Sequence, residues 1–151
     1  DAALAYWAQP DAVSSLALEA GLPTRQIMGD VLVNGQRVHA MFDTGAPTTV
    51  ITRAAALRVG IDMGAATPGP GLRSAVAGEA QATSRAHAAS FTVGKQEAHD
   101  VPLEVVDGRL GDHDMLVGID FFLAHRLIVD RVKNRLYVTA NHGEMFSKAG
   151  P

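Results

Sequence analysis

One carboxylate, Asp43, stands between an alternating apolar segment, Val38-His39-Ala40-Met41-Phe42, and a β-branched run, Thr48-Thr49-Val50-Ile51. That placement puts a short, stiff acid in a tight turn between two strands. A single carboxylate there can orient a water molecule, and two sharing one proton can activate it. Gly45 omits the Cβ that would obstruct a second backbone or a substrate. The chain carries Asp-Thr-Gly once, so a catalytic pair requires a second copy of the chain. The same composition also suits an ordinary turn, because Asp can bond its own backbone, and a tripeptide does not separate the two readings.

A second segment far downstream supplies context: Asp114-Met115-Leu116-Val117-Gly118-Ile119-Asp120-Phe121-Phe122-Leu123, followed by a strand over Leu127-Ile128-Val129-Asp130. Apolar residues, then Gly, then a short helix opened by Asp120 form an ordered partner to the Asp-Thr-Gly turn. With both motifs in this order, the sequence resembles the retropepsin-like aspartic proteases, including their bacterial members. The resemblance runs from about Ile27 to Val138.

What the resemblance implies is a mainly β, retropepsin-like closed barrel with one or two short helices, working as a homodimer on an extended polypeptide. Asp43 would be the catalytic residue, contributed once by each protomer. One carboxylate would act as general base toward water while the protonated one polarises the scissile carbonyl. Thr44 would hydrogen-bond across the axis to the opposite loop, and Gly45 would let the carboxylates and substrate approach. Ala46 stands where pepsin-like enzymes often carry a hydroxyl. Losing that donor to the charged carboxylate predicts activity from mildly acidic toward neutral pH. Ala77, Gly78 and Glu79 fall where the family places a substrate-covering flap, although a solvent-facing hairpin fits the same residues.

The elements that must position these groups can be read along the chain. Residues 1–22 form an Ala-rich N-terminal arm, with a short helix expected from about Ser14 to Ala20; the protease-like domain spans 23–140 and a tail 141–151. Ile27–Val33 and Val38–Phe42 flank Asn34-Gly35, a strong hairpin signal. Arg53–Arg58 reads as helix with Thr52 as its N-cap. Gly64 to Gly71 is a connection rich in Gly and Pro, and a second hairpin turns at Gly94-Lys95 into Val101–Val105. There Pro102, which has no amide proton, calls for an edge position. A shift of 60 residues superposes the two hairpin turns and matches Val33 with Val93, Gln36 with Gln96 and His39 with His99. Such a half-repeat is what an internally pseudo-symmetric fold would leave behind.

Several groups are assigned structural roles. His113, between Asp112 and Asp114, reads as a solvated loop and not as a metal centre, and His39 and His99 as strand residues. Asp120 reads as a helix N-cap, and Asp130 opens the turn toward Lys133-Asn134. Phe121, Phe122, Leu123, Leu127 and Ile128 are core or interface material. No metal or organic cofactor is expected.

Composition sets outer bounds. With 151 residues and 47% hydrophobic content the chain suits one domain. A net charge of −3 without like-charged blocks gives no footprint for nucleic acid. The absence of Cys excludes disulfides and thiol catalysis. No apolar run suggests a membrane span. The chain starts at Asp1, and a removed export signal would place it in the periplasm or outside the cell rather than the cytoplasm. Two alternatives stand beside the protease: a noncatalytic peptide-binding or dimerisation module of the same fold, and one lobe of a longer two-lobe enzyme.

Overall fold

A computed structural model describes residues 13–21, 26–73 and 80–140. The elements run as β1 (Ser14–Ala17), β2 (Met28–Val33), β3 (Gln36–Phe42), β4 (Val50–Thr52), a helix (Arg53–Arg58), a 3-10 turn (Met63–Ala65), β5 (Thr67–Pro68), β6 (Leu72–Arg73), β7 (Ala80–Gln81), β8 (Thr83–Val93), β9 (Gln96–Val106), β10 (Met115–Val117), a second helix (Ile119–Phe122), β11 (His125–Asp130) and β12 (Arg135–Ala140).

The two hairpins form as their turn residues dictate. Asn34 and Gly35 both take positive φ, at 51° and 75°, which matches the twist of the β2–β3 ribbon. The β8–β9 hairpin turns at Gly94-Lys95, and Val33–Gln36 and Val93–Gln96 are the equivalent closing pairs. Each hairpin's second strand then lies parallel to a short strand of the other half. β10 pairs with β3 through Met115–Ala40 to Val117–Phe42, and β4 pairs with β9 through Val50–Glu104 to Thr52–Val106. β10 and β4 meet antiparallel in the middle, and β2 pairs with β8. These pairings close a six-strand barrel in the order β2-β3-β10-β4-β9-β8, with β5 added outside β8. The sequence half-repeat thus corresponds to a twofold arrangement of the two hairpins with their exchanged strands.

Alternation fills the barrel. Val31, Val33, Val38, Ala40, Phe42, Phe91, Val101, Leu103, Val105, Met115 and Val117 belong to one buried cluster. Burying each large side chain contributes about 1.5–3 kcal/mol before ordering entropy is counted. Phe121 is its aromatic centre. It meets Phe42, Phe91 and Phe122 edge-on at 5.9–6.4 Å and stacks on His125 at 4.0 Å. A smaller cluster of Val50, Val106 and Leu110, flanked by Leu72 and Leu116, lies separately. Pro102 sits in the half of β9 that β4 does not reach, a local edge within an otherwise interior strand. Thr52 caps the first helix, its hydroxyl accepting from the Ala55 amide at 3.2 Å.

The N-terminal expectation needs correction. Ser14–Ala17 is a strand, not a helix, paired antiparallel with Val138–Arg135 on the edge of β12 opposite β11. Leu16 and Leu18 pack on the main core, and Gly29 lets the chain lie against β2, where a Cβ would meet the Ala17 carbonyl oxygen at 2.9 Å. Tertiary pairing with an open edge overrides the helix preference of an Ala-rich stretch. No helix among the described residues is long and apolar enough to cross a membrane.

Candidate active site

Asp43 follows β3 directly, and its position is fixed from below by β10. Its amide donates to the Val117 carbonyl at 2.9 Å, and the Ile119 amide donates to the Ala46 carbonyl at 2.8 Å. Between these bonds the loop is held tightly. A Cβ on Gly118 would lie 2.5 Å from the Thr48 carbonyl oxygen and 2.7 Å from that of Ala46. The apolar-apolar-Gly pattern therefore has a steric reason, since only Gly lets β10 run this close beneath the loop.

Within the loop, Asp43 Oδ1 accepts from the Gly45 amide at 2.8 Å. A Cβ on Gly45 would sit 3.0 Å from the same oxygen, so the first group that Gly45 makes room for is the carboxylate itself. Asp43 is half-buried, Thr44 and Gly45 are exposed, and Ala46 is buried. Ala77, Gly78 and Glu79 lie outside the described residues.

Thr49 ties the loop's exit to the second helix. Its amide donates to Asp120 Oδ2 at 2.8 Å and its hydroxyl to Asp120 Oδ1 at 2.6 Å, while the hydroxyl also accepts from the Gly118 amide at 3.1 Å. Asp120 is consequently not the N-cap expected from sequence. Gly118 occupies that position without a side-chain cap, and Asp120 lies inside the first turn. Its carboxylate reaches across to Thr49, and burial pushes its pKa up against the opposing effect of those hydrogen bonds. Sequence reading passed over Thr49 as one more β-branched residue. The usable signal was a hydroxyl residue at the exit of the loop, opposite an acid just after the Gly.

His113 lies in a loop, as expected, but is less solvated than a loop residue need be. It is half-buried in a bridge with Leu110, and burial and then the charge of His39 lower its pKa against the pull of Asp112, Asp43 and Asp114. His39 on β3 contacts Asp30 and Glu19, each at 3.3 Å, and His99 on β9 lies 2.9 Å from Glu97, as strand residues should. Among the described residues no group of three or more His, Asp or Glu side chains is arranged to hold a metal ion.

Two apolar side chains at the second helix are exposed. Ile119 and Leu123 lie one helical turn apart, the Leu123 amide donating to the Ile119 carbonyl, and they are 37% and 55% exposed. Phe121 between them is core, Phe122 and Leu127 are partly buried against it, and Ile128 is half-buried.

Residues 29–121 match the family model described as aspartyl protease. Solved structures with the same fold include a retropepsin-like aspartic protease from Rickettsia conorii, 20% identical, with a TM-score of 0.62 over 85% of this chain and 92% of that one. The retroviral protease-like domain of Ddi1 from Leishmania major is 20% identical, with a TM-score of 0.54 over 79% and 90%. EIAV protease complexed with the inhibitor HBY-793 is 19% identical, with a TM-score of 0.53 over 68% and 89%. No curated protein matches the chain.

Proposed function

Because the chain belongs to the aspartyl protease family, with a retropepsin-like fold, we propose that it is an endopeptidase whose catalytic pair is Asp43 from each of two protomers. The observation that carries this reading is the half-buried Asp43, its amide bonded to the Val117 carbonyl and its carboxylate to the Gly45 amide, accompanied by the exposed Thr44. One carboxylate cannot both deprotonate a water and protonate a carbonyl oxygen, whereas two that share a proton can. A second protomer brought against this face supplies the partner. The exposed Ile119 and Leu123, joined to the loop through the Ile119–Ala46 bond, give that contact an apolar surface.

In the proposed reaction the ionised Asp43 takes a proton from water, and the water oxygen attacks the scissile carbonyl. The protonated Asp43 gives its proton to the carbonyl oxygen. Collapse of the tetrahedral adduct breaks the C–N bond: the amine takes the proton held by the first Asp43, the second Asp43 takes one back from an adduct hydroxyl, and no covalent enzyme intermediate forms. The Thr44 hydroxyls would bond across the axis and hold the two acids in register. The substrate is an extended polypeptide bound by added strand pairing.

Cleavage of a diverse peptide mixture from acidic to neutral pH, at protein concentrations spanning dimerisation, tests the proposal. Wild-type activity should rise faster than linearly with concentration, and Asp43→Asn should reduce it at least about a thousandfold. Cleavage that persists in the Asn variant sinks the assignment.

A further inference from the structure

On β9 the residues Val101, Leu103 and Val105 face the main core, which by alternation places Glu104 on the other face. Glu104 is nevertheless 5% exposed. A carboxylate in that setting needs partners for both oxygens. Oε2 accepts from the Thr83 hydroxyl at 2.7 Å, and Oε1 lies 3.3 Å from Arg85 Nη2. Thr83 in turn receives the chain that leads into β6: its hydroxyl accepts from the Gly71 amide at 3.0 Å, and its carbonyl accepts from the Gly69 amide at 2.9 Å. There is no spare volume at this junction. A Cβ on Gly69 would come 2.3 Å from the Thr83 hydroxyl oxygen and 3.1 Å from Glu104 Oε2.

The main chain of Glu104 points to a second task. Its amide donates to the carbonyl of Thr49, the residue that closes the Asp43 loop through Asp120 and Gly118, at 3.2 Å. One residue thus holds the exit of the acid-bearing loop with its backbone and the root of the β6–β7 ribbon with its side chain. The ribbon itself has only two paired residues on each strand, Leu72 with Gln81 and Arg73 with Ala80. So short a ladder does not fix its own orientation. Leu72 leans on the small cluster around Val50 and Val106, and Gln81 lies against Gly108 just beyond β9.

We propose that Thr83 and Glu104 are positioning residues for substrate binding, setting the β6–β7 ribbon in register with the Asp43 loop through their buried side-chain bond. This inference rests on the peptidase reading and assigns its binding energy in part to a pair outside the loop. Thr83→Val removes the hydroxyl at nearly constant volume, and Thr83→Ser keeps it. In Thr83→Val, amide hydrogen exchange at Gly71, Leu72, Arg73, Ala80 and Gln81 should quicken while the β2–β3 amides keep their protection. Peptide KM should rise about tenfold with kcat nearly unchanged, the loss of uniform binding from one net hydrogen bond. Thr83→Ser should restore both readouts. If Thr83→Val does not fold, Thr83→Ala, which also removes the hydroxyl and adds no bulk, is read in the same two ways. Unchanged ribbon exchange, or an unchanged KM in a folded variant, overturns the proposal. A wild-type protein that cleaves nothing overturns the peptidase reading instead, and the exchange comparison, which needs no substrate, still upholds or overturns the positioning of the ribbon.

Discussion

Gly118 is bracketed by backbone, with no flexible side chain available to move aside for a methyl group. Gly118→Ala should therefore cost about 3 kcal/mol or more in urea unfolding, and the surviving folded fraction should lose activity, because β10 cannot approach the Asp43 loop without displacing Ala46 or Thr48. Wild-type stability in that variant would show the close approach to be relaxed in solution. At this scale the sequence was readable where chemistry is local. Asp43, Gly45 and Gly118 announce themselves through neighbours a few positions away. Thr49 and Asp120 do not, since they are 71 residues apart, and the position of the acid within its helix turn follows from a partner that no local pattern reveals. Glu104 was visible only as one member of an alternating strand. Its burial comes from the Gly69–Thr83 junction packed on that face.

Strands signalled by turn chemistry formed where expected, around Asn34-Gly35 and Gly94-Lys95, whereas β1 did not, because its pairing is with the distant β12. Removing residues 1–21 should expose the β12 edge together with the surfaces under Leu16 and Leu18. We expect a loss of about 3 kcal/mol from two partly buried leucines, seen as a lower urea midpoint. An unchanged midpoint would show that β1 is dispensable. The short second helix makes a different prediction, because its exposed residues flank the loop instead of the core. Leu123→Lys should leave the monomer's unfolding midpoint within about 0.5 kcal/mol of wild type. The same change should weaken self-association in sedimentation and shift activity to higher protein concentration. Tight dimers in that variant would remove the helix from the proposed interface.

For the whole molecule, acid is the condition to vary. His125 is 4% exposed; its Nδ1 lies 2.8 Å from the Phe121 carbonyl oxygen, its Nε2 has no hydrogen-bond partner among the described residues, and burial lowers its pKa. Its pKa and that of His113 both lie below 6.5 in the folded chain, so on acidification the unfolded chain binds these protons first. Their contribution is fully present above pH 6.5 and is lost as pH falls from there through the folded values. Asp120, with its pKa raised above 3.8, acts oppositely in a lower window: the unfolded carboxyl ionises first, so its contribution declines as pH rises from 3.8 until the folded carboxyl ionises too. Urea unfolding at pH 5 and pH 8 should show lower stability at pH 5, with the difference reduced in His125→Phe. An equal drop in that variant would assign the effect elsewhere. The exchanged strands carry one more consequence, for biosynthesis. With β10 inserted between β3 and β4, the Asp43 loop has no floor until Met115–Val117 has emerged from the ribosome and docked. A chain stalled midway through translation holds the Asp-Thr-Gly sequence without the loop geometry, so the proposed peptidase activity should be absent while the protein is being made.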